Sequence, residues 1–338
     1  MKKPFIIAEI GVNHDGILEK AKELIYVAKE AGADAVKFQT FIPEKLALPN
    51  TPKVSYQRAN DSDRSHLEML KALSFNFEQH LVLQDYCKQA DIEFMSTPYG
   101  IEELKFLVGL GVKRIKIASA DIVDIPLHEE ASKLSIAIII STGMATEIEI
   151  NEAVSLYRNK ENMITLMQCT SEYPSKPSNA NLRKLHFLKS LHVASIGYSD
   201  HTIGVNCALV ALGLGATYFE KHVTLRNSDS GPDHAASANP VAFKKYVSVI
   251  RESYEALGNE HPKMTDAEFE MSQVSRKSLH FKKTLPIGHI LESEDVVLRR
   301  PGSGLLWRDL KKIVGKKLKT AVVEGEEVKS SKFEIEVK

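Results

Sequence analysis

The sequence predicts an α/β protein: a (β/α)₈ barrel of the TIM type followed by a small, β-rich C-terminal domain. Three observations carry that prediction. Eight short β-rich runs alternate with helical patterns over roughly the first 260 residues, which is the rhythm of a closed barrel. No GxGxxG or Walker A sequence follows any of these runs, so nothing supports a nucleotide-binding open sheet instead. Beyond residue 275 the rhythm gives way to short β-like runs broken by turns, such as Pro286-Ile287-Gly288 and Pro301-Gly302-Ser303-Gly304. The expected boundaries are residues 1–258 for the barrel, 259–275 for a polar linker and 276–338 for the small domain.

The barrel elements follow one another in order. Phe5–Ile10 reads as the first strand, and Leu18–Ala31 as an amphipathic helix stopped by Gly32. Ala35–Gln39 is the second strand. A long polar loop, residues 41–64, comes next, and loops of that length are often functional. Helical patterns at 65–73 and 77–90 lead to a third strand, Glu93–Thr97. A helix at 101–108 precedes the fourth strand, Arg114–Ala118. The fifth and sixth strands are Ile136–Ser141 and Met163–Cys169, with helices near 127–134, 146–158 and 179–190. Ser195–Ser199, a helix in Gly204–Gly213 and Thr217–Lys221 make one compact strand–helix–strand unit, and a helix over 241–257 closes the series.

Composition sets limits on function. At 338 residues, with 43% hydrophobic and 26% charged, the chain can bury a large core. A formal net charge of zero argues against a dedicated nucleic-acid binder. Charge is uneven, however: residues 276–338 hold 15 Lys and Arg against 9 Asp and Glu. Cys87, Cys169 and Cys207 show no CxxC spacing, which fits a reducing, cytoplasmic location. The N-terminus opens like a signal peptide, but Glu9 breaks its apolar run. No stretch approaches the 18 apolar residues that a membrane span needs.

Function is expected at the C-terminal ends of the strands, where barrel enzymes place their catalytic groups. Those ends are strongly polar here. His201 follows the seventh strand and His222 the eighth. If the two strands are neighbours, about 4.8 Å apart, both imidazoles reach one divalent ion. Two unrelated structural histidines fit the positions equally well. Parity sharpens the other candidates, since side chains alternate across a strand. Lys37 and Gln39 share a face, as do Ser199 and His201, and Glu220 and His222. Lys116 lies between Ile115 and Ile117. Lysines are rarely buried without partners, so Lys37 and Lys116 point to an anion between them, or else to structural pairing with Glu9 and Asp121. Asp233, in the loop after strand eight, is a candidate partner for a metal or a water. It would also pass for an ordinary turn aspartate. Arg299-Arg300 in the basic small domain would suit an anionic substrate or simply face solvent.

Taken together, the strand-end motifs resemble the sialic acid synthase family, the phosphoenolpyruvate-dependent nonulosonic acid synthases. The matching pieces are EIGVNHDG (Glu9–Gly16), VKFQT (Val36–Thr40), STPY (Ser96–Tyr99), KIASAD (Lys116–Asp121), STGM (Ser141–Met144), CTSEYP (Cys169–Pro174), GYSDHT (Gly197–Thr202), EKH (Glu220–His222) and GPD (Gly231–Asp233). Residues 276–338, with RPGSG at Arg300–Gly304, look like the antifreeze-like (SAF) domain that ends these enzymes. The resemblance implies condensation of phosphoenolpyruvate with the open-chain aldehyde of an N-acetylated hexosamine, with release of phosphate. Under it, His201 and His222 would hold Mn²⁺, with Mg²⁺ or Co²⁺ as alternatives. Lys37, Thr97, Lys116, Ser119, Ser141 and Ser199 would bind phosphoenolpyruvate. Glu9, Gln39, Tyr173 and Asp233 would contact the sugar or a metal-bound water.

Arg300 would reach the sugar from the partner's small domain in a swapped homodimer. Asp121 and Ser171 stand where some members have glutamate and asparagine, next to the phosphoenolpyruvate or the water. The sugar-binding asparagine of the 41–64 loop corresponds to Asn50 or Asn60. Two rival functions remain open: a Schiff-base aldolase using Lys37, Lys116 or Lys221, and a non-enzymatic carbohydrate-binding protein.

Overall fold

The computed structural model describes residues 2–54, 58, 64–158 and 160–334. The chain divides into two units, one ending at Gly258 and the other beginning at Asn259.

In the first unit, eight strands form one sheet: β1 Phe5–Gly11, β2 Ala35–Thr40, β3 Glu93–Pro98, β4 Arg114–Ile117, β5 Ala137–Ser141, β6 Ile164–Cys169, β7 Ser195–Asp200 and β8 Tyr218–His222. All neighbouring pairs within it are parallel, in the order β3-β2-β1-β8-β7-β6-β5-β4. β3 packs beside β4, which closes the ring. The expected barrel is therefore present, with strand ends displaced by at most one residue. Local chemistry explains where helices start. Asn76 with Gln79 and Thr146 with Glu149 form reciprocal capping boxes, and Asp124 caps a helix that begins at Ile125, two residues earlier than its pattern implied. The helix before β7 starts only at Lys184, because Asn181 adopts a positive φ of 47° upstream of it.

The barrel has two apolar layers. Outward residues such as Ile6, Ala8, Val36 and Phe219 pack under the surrounding helices. Inward residues at the N-terminal end, Ile7, Ala35, Met95, Ile139 and Met167, fill the barrel itself. Two residues further along each strand the same inward face turns polar: Glu9, Lys37, Thr97, Ser141 and Cys169. The apolar plug thus forms the floor beneath a polar mouth. One glycine sets the spacing of the two strands that matter most. A Cβ on Gly197 of β7 would lie 2.7 Å from both the Cβ and the carbonyl oxygen of Tyr218 on β8, so no larger residue fits there.

The second unit is built around a small core that includes Leu279, Phe281, Leu318 and Val328. Strands β9 Ser278–Phe281 and β10 Val296–Arg299 pair antiparallel, and isolated bridges such as Leu285 with Val322 complete the β structure. The stretch read as a linker carries regular structure. Asp266–Ser275 is a helix, started by a capping box of Thr265 and Glu268, and it belongs to the second unit. Its large apolar residues, Phe269, Met271 and Val274, are all exposed, so it has no buried apolar face.

Asp295 ties this unit together. Its carboxylate accepts from the Glu292 backbone N–H at 2.9 Å and contacts the His289 ring at 2.7 Å and Lys283 Nζ at 3.0 Å. Burial alone would raise its pKa, but these three donors hold it at about 2, below the ordinary 3.8. Its stabilising effect is therefore complete above pH 3.8 and lost as pH falls through the folded value. Urea unfolding followed at Trp307, the chain's single tryptophan, checks this. The stability gap between the parent and Asp295→Asn should be constant above about pH 5 and should close toward pH 2. A gap independent of pH would contradict it.

Candidate active site

The inward polar residues converge on one cleft of about 790 Å³ at the C-terminal end of the barrel. Twelve of the residues expected from the sequence line it: Glu9, Lys37, Gln39, Thr97, Lys116, Ser119, Ser141, Ser171, Tyr173, Ser199, His201 and His222. Asp121 and Asp233 do not. Arg300 is an exposed residue of the second unit. Pro52, Val54 and His66 line the cleft from the region of the long loop, and His66 had no signal in the sequence beyond its position. Asn50 is exposed and not part of the lining, and Asn60 lies outside the described residues.

At the floor of the cleft sits a cluster of four buried charges. Lys37 Nζ is 2.7 Å from Glu9 Oε2 and 3.7 Å from Glu220 Oε2, and it donates to Thr97 Oγ1 at 3.0 Å. Lys116 Nζ donates to Glu220 Oε1 at 3.3 Å. Ser199 Oγ donates to the same oxygen at 3.0 Å, and Gln39 Nε2 donates to Glu9 Oε1 at 3.1 Å. Structural pairing therefore holds for Lys37 with Glu9, but Lys116 pairs with Glu220 and not with Asp121. Glu220 is the residue the sequence reading undervalued. It shares its parity with His222, yet its partners lie far away along the chain.

Electrostatics separates the two carboxylates. Burial raises Glu9 to about 7 against the pull of Lys37. For Glu220 burial acts in the same direction, but Lys116 and Lys37 together overcome it and hold the group at about 2. Glu9 is thus suited to proton transfer and Glu220 to a permanent negative charge. Burial lowers Lys37, but its two carboxylates outweigh burial and raise it; for Lys116 burial prevails. Asp121, half-buried near Asp124, is raised to about 6 mainly by desolvation.

The rim brings in aromatic rings. The His201 and His222 ring centroids are 5.4 Å apart, and Tyr173 lies 4.1 Å from the first and 5.5 Å from the second. His201 Nδ1 is 2.8 Å from the Thr170 carbonyl, and the Cys169 thiol is 3.8 Å away. With Nδ1 engaged, Nε2 carries the ring's remaining capacity to coordinate. Burial, reinforced by His201 and Lys37, keeps His222 well below the usual histidine value and so neutral. Its Nδ1 is buried without a hydrogen-bond partner, and Asp233 Oδ2 lies 3.7 Å behind it. Asp233 is raised to about 6 by burial, against His201 and His234. Opposite, the backbone of Gly143 passes between two serines. Ser119 Oγ accepts from its N–H at 3.0 Å, and an added Cβ would meet Ser171 Oγ at 2.6 Å. Ser141 Oγ is buried with no partner of its own.

Comparison with known proteins bears directly on this geometry. The NeuB family profile matches residues 24–262, most of the chain. The chain belongs to the NeuB family. An SAF domain profile matches residues 276–334. The N,N'-diacetyllegionaminic acid synthase of Legionella pneumophila is 39% identical over 95% of this chain and 92% of its own length. The pseudaminic acid synthase of Helicobacter pylori is 36% identical over 94% of each chain. Among solved structures, the N-acetylneuraminic acid synthetase of Leptospira borgpetersenii in complex with citrate superposes with a TM-score of 0.71 and 33% identity. It covers 80% of this chain and 90% of that one.

In this NeuB-family site the Schiff-base reading loses ground. Lys37 is a raised amine held by carboxylates, and Lys221 does not line the cleft. Lys116 is lowered, but its ammonium is engaged by Glu220. The dependence of both lysines on that carboxylate is testable. Glu220→Gln should cost about 3–5 kcal/mol in urea unfolding, because it leaves Lys116 buried without a partner. Added inorganic phosphate should then stabilise the variant more than the parent. An unchanged stability would contradict the shared-carboxylate arrangement.

Proposed function

We propose that the barrel mouth joins phosphoenolpyruvate to the open-chain aldehyde of an N-acetylated hexosamine, with loss of phosphate. The chain is a nonulosonic acid synthase, an assignment supported by its family and by relatives named for legionaminic, pseudaminic and sialic-type acids. The observation that carries the substrate reading is the paired-lysine floor: two buried ammonium groups, with Thr97, Ser141 and Ser199 beside them, facing one cleft. Phosphoenolpyruvate brings about three negative charges, which such a set binds and whose leaving phosphate it stabilises.

The two histidines fit a divalent cation, Mn²⁺ in this reading, with Mg²⁺ or Co²⁺ as alternatives. His222 is neutral with an unpartnered buried Nδ1, and His201 has its Nδ1 tied back to Thr170. Among the described residues no three His, Cys, Asp or Glu side chains are grouped to hold a metal, so water and substrate would supply the other positions. A bound cation of this kind polarises an aldehyde oxygen and offsets the charge it gains. The chain's own residues do the rest. Lys37 and Lys116 seat the enolpyruvyl phosphate. Its C3 bonds to the aldehyde carbon, water adds at C2, and the C2–O bond to phosphate breaks. Glu9, with its raised pKa and its Gln39 contact, carries the proton at the sugar side. Asp233, 3.7 Å from His222 Nδ1, contacts the sugar or a water, while Tyr173 and Ser171 border the sugar. Asp121, set back from the cleft, acts on the β4 loop that presents Ser119.

The same reading makes the protein a cytoplasmic, domain-swapped homodimer, in which Arg300 of the partner subunit serves the N-acetyl sugar. The exposure of Arg300 and the SAF match support it, and no helix among the described residues is long and apolar enough to cross a membrane. For the aldehyde, the 39% identity to a diacetyllegionaminic acid synthase supports a 2,4-diacetamido-trideoxyhexose. A phosphate-release assay with Mn²⁺ should show release that depends on one of these aldoses or on N-acetylmannosamine, with a sugar acid three carbons longer by mass spectrometry. No sugar-dependent release would contradict the function. Chelation should abolish turnover and Mn²⁺ restore it. His222→Ala should lose all turnover with an unchanged melting curve, and near-parent rates would contradict the metal assignment.

A further inference from the structure

Each of the two mouth histidines is preceded by a charged residue, and the two charges are opposite. Asp200 ends β7 just before His201, and Lys221 stands one residue before His222 at the end of β8. Alternation sends these neighbours the other way, out of the mouth and into the layer between strands and helices. There Asp200 and Lys221 are paired directly across the ladder. Lys221 Nζ lies 3.2 Å from Asp200 Oδ2, with side chains 4% and 0% exposed, and neither residue touches the cleft.

The pair also gathers the turn that follows β7. Lys221 Nζ donates to the Thr202 carbonyl, and to that of Gly204 at 3.4 Å. Asp200 Oδ1 accepts from the Thr202 backbone N–H at 2.8 Å and from its hydroxyl at 2.7 Å. The Tyr246 ring sits 5.3 Å from the ammonium and covers it. His201 is therefore bracketed: residues on both sides of it are bonded to the strand that carries His222. A buried ion pair is a poor source of stability, because desolvation offsets most of its attraction and apolar residues would pack there at no loss. What it supplies, and apolar packing does not, is a fixed distance and direction between two backbones.

We propose that Asp200 and Lys221 are positioning residues that hold His201 and His222 at the separation and orientation a divalent cation requires, and so set the affinity of the mouth for that ion. The inference rests on the metal reading given above and adds the pair as its support from behind the strands.

The test compares Asp200→Asn, Lys221→Met and the double variant, which buries no unpaired charge. Free Mn²⁺ is measured by electron paramagnetic resonance during titration, and urea unfolding is followed in parallel. Each single variant should be less stable and should bind Mn²⁺ at least tenfold more weakly. The double variant should regain stability and keep the weakened Mn²⁺ binding. Thr202→Val, which only removes a hydroxyl from Asp200, is the milder probe and should weaken Mn²⁺ binding severalfold in a folded protein. A double variant, or a Thr202→Val protein, with parent-like Mn²⁺ affinity would show the pair to be structural only and overturn the proposal. A parent chain that binds no Mn²⁺ would remove the metal reading itself, and the pair with it.

Discussion

Everything at the mouth of this barrel depends on one carboxylate shared by two lysines. Glu220 lies between Lys116 and Lys37, all three almost wholly buried. Neither lysine would stay charged inside the barrel alone, since an uncompensated ion there costs several kcal/mol. Glu220 keeps both ammonium groups in place, and Glu9 adds a second carboxylate whose charge depends on its proton. An arriving anion then meets cations already dehydrated and oriented, so little reorganisation is left for the moment of binding. The apolar plug of Ile7, Met95, Ile139 and Met167 beneath the cluster excludes water from below.

The same architecture explains why two identical-looking patterns along a strand have different fates. At the ends of β7 and β8 the inward positions carry Ser199, Glu220 and His222, with His201 just beyond β7, while Asp200 and Lys221 face the helices. Charge alone does not distinguish Lys221 from Lys116, but parity does. Lys221, which as a desolvated amine looked like a Schiff-base candidate, is committed to backbone carbonyls and a carboxylate outside the mouth. A purely carbohydrate-binding role also sits badly with four buried charges, which a surface recognising neutral sugar hydroxyls does not require.

Much of this was legible in the sequence, for a definite reason. Period-two alternation put Lys37 with Gln39, Ser199 with His201 and Glu220 with His222 on shared faces, the family resemblance supplied roles for Glu9, Thr97 and Ser141, and a closed barrel has one polar end for them to share. What stayed hidden was partnership across the ring. Lys116 and Glu220 are 104 positions apart, and no spacing rule links them, so Asp121 looked like the natural partner. The tight approach at Gly197 was equally invisible, because it depends on Tyr218 of the next strand. The helix at Asp266–Ser275 was missed because its polar residues outweigh Phe269, Met271 and Val274, although its capping box was written in Thr265 and Glu268.

The most direct measurement is a crystal structure of the chain with phosphoenolpyruvate and Mn²⁺. The account predicts one phosphoenolpyruvate within hydrogen-bond reach of both Lys37 and Lys116 ammonium groups, and one anomalous Mn²⁺ peak between the His201 and His222 rings. Phosphoenolpyruvate seated away from the two lysines, with both ammonium groups still turned to Glu220, would contradict it.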